Sequence, residues 1–315
     1  MQGQQPTIQT VQLTKFYAKG KSAALEGLNL TVNRGEIFGY LGPNGAGKTT
    51  TIRLLLDLIR PTSGRASILG LDTQKDSVEL HRRIGFLPGE LSLWENLTAK
   101  QVIHYVGSVR GQLDTKYVEA LTERLEFDMT KKVRSYSSGN KRKLGLIIAL
   151  MSKPEVLILD EPTSGLDPLM QQIFLQLMRE ARQDGRTVFL SSHMLTEVQE
   201  ICDRVGILRS GQLKEVKTVS DLTHTDFRWV TFRFREAPQA GKLTGLRGVT
   251  DVSVNENKLK FKLTGDFDPV IRAIGEQYIV DIEVQEPTLE EIFLTYYGDT
   301  PAAQNNHRAR TEVVA

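Results

Sequence analysis

Eight consecutive residues, Gly42-Pro43-Asn44-Gly45-Ala46-Gly47-Lys48-Thr49, constrain the fold of this chain more than any other feature. They match G-x-x-x-x-G-K-[ST] in full, between a β-rich run, Glu36 to Leu41, and a helical pattern, Thr50 to Ile59. Such a turn needs a strand before it and a helix after it, because backbone N–H groups at the helix N-terminus are what it presents to an anion. Glycines at 42, 45 and 47 let those groups wrap phosphate oxygens. Lys48 is placed to neutralise β and γ phosphates, and the Thr49 hydroxyl suits Mg²⁺, which prefers oxygen ligands.

Two further strand-like runs end in chemically loaded turns. Val156 to Leu159 is followed by Asp160 and Glu161, and Thr187 to Leu190 by Ser191, Ser192 and His193. Paired carboxylates closing a buried strand suit a metal and a water: Asp160 orients the metal or its waters, and Glu161 polarises the attacking water. In open parallel sheets ligands bind outside the carboxyl ends of the strands, so three loaded turns after three strands predict one site, with His193 in reach of the γ-phosphate or the water.

Short β-rich runs alternate with helical patterns up to a seam near Val219 to Asp226, which predicts a parallel sheet with covering helices over residues 1–220. Residues 88–150 read as a helical insertion, and Leu144, Ile147, Ile148 and Met151 predict a helix from about Asn140 with one buried stripe. Beyond the seam, alternating runs at Val230 to Phe234, Val249 to Val254, Leu259 to Leu263 and Ile279 to Val284, with a helix near Pro269 to Gly275, predict a small α+β domain over 221–298. A last helix is expected from Thr288, with Glu291 completing a capping box, and 299–315 as a mobile tail.

The 40 basic and 38 acidic residues leave a net charge of +2, so no global field draws the chain to nucleic acid or anionic lipid. Its single cysteine, Cys202, excludes an internal disulfide or a cysteine-rich metal site and reads as a buried small residue. The N-terminal stretch lacks a secretory pattern, and the most apolar run, Leu144 to Met151, is far short of the roughly 20 residues that span a bilayer. Membrane attachment is therefore expected to come through a partner.

Over about its first 220 residues the chain resembles the ATPase subunits of ABC transporters. The likeness rests on Gly42 to Thr49, on Tyr136-Ser137-Ser138-Gly139-Asn140 where that family has Leu-Ser-Gly-Gly-Gln, on Val156 to Glu161, on Ser164-Gly165-Leu166-Asp167, and on His193. It implies an α/β fold: a P-loop NTPase (RecA-like) core with an antiparallel β region and a helical insertion. It also implies that Tyr17 stacks on adenine, that Gly42 to Thr50 and Asp167 contact nucleotide, and that Ser137, Ser138, Gly139 and Asn140 act on the ATP of a second subunit in a homodimer.

Two departures stand out. Ser138 and Asn140 replace a glycine and a glutamine with residues that keep small size and hydrogen-bonding ability. In Ile84-Gly85-Phe86-Leu87-Pro88-Gly89-Glu90 the family's metal-contacting, coupling glutamine falls on Gly89, leaving Glu90 as a stand-in oxygen donor or the loop without metal contact.

The segment from Glu286 to Phe293 looks like the C-terminal extension of ATPases that serve drug, antibiotic or polysaccharide exporters. The resemblance thus implies an ATP- and Mg²⁺-dependent ATPase with Lys48, Glu161 and His193 as catalytic groups. It would sit at the cytoplasmic face of the membrane, bound to integral membrane subunits and not to nucleic acid. The rival reading is a soluble ABC ATPase that remodels ribosomes or DNA. One phosphate loop, no sustained heptads and one cysteine speak against it.

Overall fold

The computed structural model describes residues 5–17, 23–111, 113–223, 227–239, 241, 243, 245–275 and 277–286. The chain divides into two compact units, Met1–Val219 and Ser220–Ala315.

The first unit holds β1 (Ile8–Lys15), β2 (Leu25–Val32), β3 (Ile37–Leu41), α1 (Lys48–Leu55), β4 (Ser63–Ile68), β5 (Leu71–Asp72), α2 (Ser77–Arg83) and β6 (Ile84–Leu87). After these come α3 (Ala99–Arg110), α4 (Thr115–Arg124), α5 (Ser138–Leu150), β7 (Val156–Asp160), α6 (Pro168–Gln183), β8 (Thr187–Ser192), α7 (Leu195–Ile201), β9 (Arg204–Arg209) and β10 (Gln212–Thr218). β3, β7 and β8 are buried at every residue, the mark of parallel strands covered on both faces. They are adjacent in a sheet of order β10-β9-β3-β8-β7-β6, parallel throughout except for β10.

A second sheet, β2-β1-β4-β5, is antiparallel. Both sheets feed one apolar core, in which Ile8, Leu30, Phe38, Tyr40 and Phe189 gather with Ile52 and Leu55 of α1. Helix α1 begins at Lys48 rather than Thr50 and stops well short of Ile59, where Asp57 turns left-handed at φ 53°.

The stretch over 88–150 is helical as the pattern suggests, with α3 opened by a Thr98/Gln101 capping box and α4 capped by Asp114. The expectation of one buried stripe on α5 needs correction. Leu144 to Ile147, Ala149 and Leu150 are all buried while Ile148 is half-buried, because the helix packs on more than one side; a Cβ on Gly145 would lie 2.6 Å from Leu87.

α8 (Val219–Thr223) crosses the boundary. The second unit then has β11 (Phe227–Phe234), β12 (Val249–Asn255), β13 (Lys258–Thr264), α9 (Asp268–Ile274) and β14 (Ile279–Gln285). Its antiparallel sheet runs β12-β13-β11-β14 and turns alternate residues to a core of Val230, Phe232, Phe261, Leu263, Val270 and Ile274. The helix anticipated at Thr288, its Glu291 partner and the tail from Asp299 lie outside the described residues.

Candidate nucleotide site

The adjacency of β3, β8 and β7 brings the three loaded turns to one edge of the sheet. Gly42 to Gly47 lies after β3, against the β9–β10 turn, where Gly211 N donates to Ala46 O at 2.9 Å. A Cβ at Gly42 would lie 2.5 Å from Leu208 O, and one at Gly47, the α1 N-cap at φ 110°, 2.6 Å from Ala24 O. Any larger residue at either position would have to displace backbone, so the loop's shape and the open N-terminus of α1 depend on both glycines.

Lys48 is buried, yet its ammonium points along the loop. Nζ donates to Gly42 O at 2.5 Å and lies 3.3 Å from Glu161 Oε1. The other Glu161 oxygen, Oε2, is 2.6 Å from His193 Nδ1. Thr49 Oγ1 donates to Asp160 Oδ2 at 2.9 Å, and Asp160 Oδ1 accepts from Ser191 Oγ. Together these contacts leave an ammonium, two carboxylates, two hydroxyls and an imidazole around the mouth of one phosphate-sized loop.

Glu161 takes a left-handed φ of 49°, sparsely populated for a residue with a side chain and typical of functional turns. Its N–H is shared between Ser191 O at 3.2 Å and Ser191 Oγ at 3.1 Å.

The cleft over the loop has a volume of about 210 Å³ and is lined by Ala24, Pro43, Asn44, Gly45, Gly47, Lys48, Thr49, Thr50 and Glu161. Pockets that enclose a small ligand usually measure roughly 300–1,000 Å³, so this one is open and shallow for a nucleotide. Thr49 and Asp160 offer a hydroxyl and a carboxylate, hard oxygen donors that fit Mg²⁺ with phosphate and water oxygens completing its shell. Among the described residues no cluster of three or more His, Cys, Asp or Glu side chains forms a full metal cage.

The remaining predicted residues are not among those that line this cleft. Tyr17 is exposed, with Lys15 Nζ 5.6 Å from its ring centroid, and is not part of the lining. Ser137 caps α5 by accepting from Asn140 N, Ser138 is exposed, and Gly139 leaves room for Gly165 O, 2.9 Å from where its Cβ would sit. Asp167 caps α6 by accepting from Met170 N at 3.0 Å. Glu90 is exposed and makes no hydrogen bond or ion pair among the described residues. Gly89 instead abuts the metal-side carboxylate, since its Cβ would lie 3.2 Å from Asp160 Oδ2.

Two polar residues are not foreseen from the sequence. Glu197, on α7, is buried and accepts from Thr163 Oγ1 and from Ser192 Oγ, joining the turn after Glu161 to the turn that carries His193. Burial pushes its carboxyl above the ordinary value, against those two hydrogen bonds. Arg142 sits buried in α5. The sequence gives little signal for either: Arg142 lies between Lys141 and Lys143, and Glu197 is one of two glutamates in Leu195–Ile201.

A sequence model of the family described as ABC transporter matches residues 25–164. The linearmycin resistance ATP-binding protein of Bacillus subtilis is 32% identical, covering 93% of this chain and 99% of its own length. The daunorubicin resistance ATP-binding protein of Streptomyces coeruleorubidus is 36% identical, covering 89% and 93%. A solved structure of an ATP-binding subunit of an ABC transporter superposes with a TM-score of 0.63 at 29% identity, over 69% of this chain and 91% of that one.

Proposed function

Since this chain belongs to the family of ABC transporter ATP-binding proteins and is accordingly an ATP-binding, ATP-hydrolysing subunit, we propose that two copies close around two ATP molecules to drive export through separate membrane subunits. The observation that carries the reading is the meeting of Lys48, Glu161 and His193 with the Thr49–Asp160 pair at one strand edge.

In this reading the phosphates of ATP enter the loop and draw Lys48 away from Glu161. Glu161 then accepts the proton of the attacking water, while His193 holds the Glu161 carboxylate and the γ-phosphate in register. Thr49 and Asp160 would hold Mg²⁺, which would supply positive charge to offset that of the phosphates. Positioning and charge neutralisation carry most of the rate enhancement.

The cleft's small volume and the absence of residues 136–140 and Asp167 from its lining support a site completed by another copy. Exposed Ser137 and Ser138 at the start of α5 would supply hydroxyl and N–H donors to the partner's nucleotide. Tyr17 would reach adenine once nucleotide is bound.

No described helix is long and apolar enough to cross a membrane. In this reading other chains span the bilayer, and this subunit works at its cytoplasmic face. The relatives' names point to an antibiotic-like cargo. The 221–298 domain, which shows no metal-binding cluster of acidic, histidine or cysteine side chains among its described residues, would stabilise the dimer or regulate it.

The test is size-exclusion chromatography with light scattering on Glu161→Gln with and without Mg²⁺-ATP, together with affinity capture of the full chain from solubilised membranes. An ATP-dependent dimer and a co-purifying polytopic membrane protein are expected. A monomer at saturating ATP would refute the shared site, and capture of ribosomes alone would refute the transporter role.

A further inference from the structure

Arg142 is 3% exposed, in the middle of α5, and its guanidinium makes five hydrogen bonds to backbone carbonyls. Nε donates to Pro162 O at 3.0 Å; Nη1 donates to Pro88 O at 2.6 Å and Gly89 O at 3.1 Å; Nη2 donates to Asp160 O at 2.6 Å and to Glu161 O. A guanidinium has five N–H donors, so every one is used.

Three of the five carbonyls are consecutive, Asp160, Glu161 and Pro162, and bracket the residue with the left-handed φ. That conformation is sparsely populated for a residue with a side chain, so contacts that fix its flanking carbonyls help to hold it. Here the surroundings are a clamp: Ser191 takes the Glu161 N–H from one side and Arg142 takes the carbonyls from the other. The remaining two bonds run to the loop at 88–89, where a Cβ on Gly89 would lie 3.2 Å from Asp160 Oδ2.

We infer that Arg142 is a positioning residue: its planar fork sets the backbone of Glu161 and joins it to the 88–89 loop. The inference rests on Glu161 being the base. Burial lowers the Arg142 pKa, which the nearby Asp160 and Glu161 carboxylates oppose. Lysine keeps the charge but cannot fork, since its three donors diverge from one nitrogen.

Arg142→Lys and Arg142→Ala of the full chain would be assayed for ATP turnover, equilibrium binding of a fluorescent ATP analogue, thermal melting, and amide exchange of peptides spanning 86–92. Both variants are expected to lose about 100-fold in kcat, the scale of a small misplacement of a reacting group, with nucleotide affinity within about threefold of the parent. Amide exchange at 86–92 in Arg142→Lys should quicken about tenfold. Millimolar methylguanidinium should restore Arg142→Ala where methylammonium does not.

Parent-like kcat or parent-like exchange in Arg142→Lys would overturn the inference, as would equal rescue by methylammonium or a parallel loss of affinity and kcat. If Arg142→Ala does not fold, the kcat and exchange of Arg142→Lys decide alone. Glu161→Gln serves as the control: inactive Glu161→Gln with active Arg142→Lys sinks the Arg142 role alone, whereas active Glu161→Gln removes its premise.

Discussion

Glu161→Gln should slow hydrolysis and tighten ATP binding at once. Lys48 Nζ lies 3.3 Å from Glu161 Oε1, a distance at which unit charges attract by about 5 kcal/mol at an effective dielectric constant near 20. Most of that is consumed by desolvation, because Lys48 is only 6% exposed and Glu161 22%, leaving a net preference on the order of 1 kcal/mol. Phosphate must overcome this preference to recruit Lys48. Removing the charge on Glu161 is therefore expected to lower the ATP dissociation constant about fivefold. Losing a general base costs about 10²–10⁴ in rate, roughly 3–5 kcal/mol on the barrier. Phosphate release at saturating Mg²⁺-ATP and equilibrium binding of a fluorescent ATP analogue measure the two effects separately. Turnover within about threefold of the parent would refute Glu161 as base. Weaker binding would refute the competition for Lys48.

Glu197→Gln tests the buried carboxylate on α7. Because burial raises its folded pKa above the ordinary 4.5, its contribution to stability is fully present below that value and is lost as pH rises through the folded pKa. The variant's melting temperature minus the parent's should therefore increase from pH 4.5 towards neutrality; a flat or falling difference would refute the account. Phe232→Ala empties a site fully buried against Phe261, ring centroids 5.8 Å apart, and should destabilise the second unit by about 3–5 kcal/mol. With its core distinct from that of the first unit, the expected signature is an early melting transition with ATP binding retained, and joint loss of both would contradict it. Cys202 is buried, its thiol pushed well up by burial with Asp203 and Glu197 adding to the shift. Ellman's reagent at pH 8 should react about 100-fold faster in denaturant than with the native protein, and comparable rates would show the site to be open.

Much of the site was legible because its chemistry is local in the chain. The loop from Gly42 to Thr49 carries its own instructions in glycine positions and flanking periodicity, and β7 and β8 announce themselves as uninterrupted apolar runs that end in polar turns. Element ends were less legible. Where α1 stops depends on the left-handed turn at Asp57, and α5 begins at Ser138 because Ser137 caps it, six positions before its apolar pattern starts at Leu144. The antiparallel sheet was expected only through resemblance, since its pairings join Ile8 to Val32 on one side and to Ile68 on the other, and no local period encodes a partner strand.

The sequence by itself determined that this chain binds phosphate at the end of a buried strand, and which residue types stand at the neighbouring strand ends. The tertiary structure alone decided that Thr49 and Ser191 flank Asp160, that Glu161 stands between Lys48 and His193, and that one guanidinium from α5 holds three consecutive carbonyls around it. Hydrogen bonds between residues 18 to 111 positions apart depend on distances that only the packed core sets, and a spacing in sequence carries no record of them.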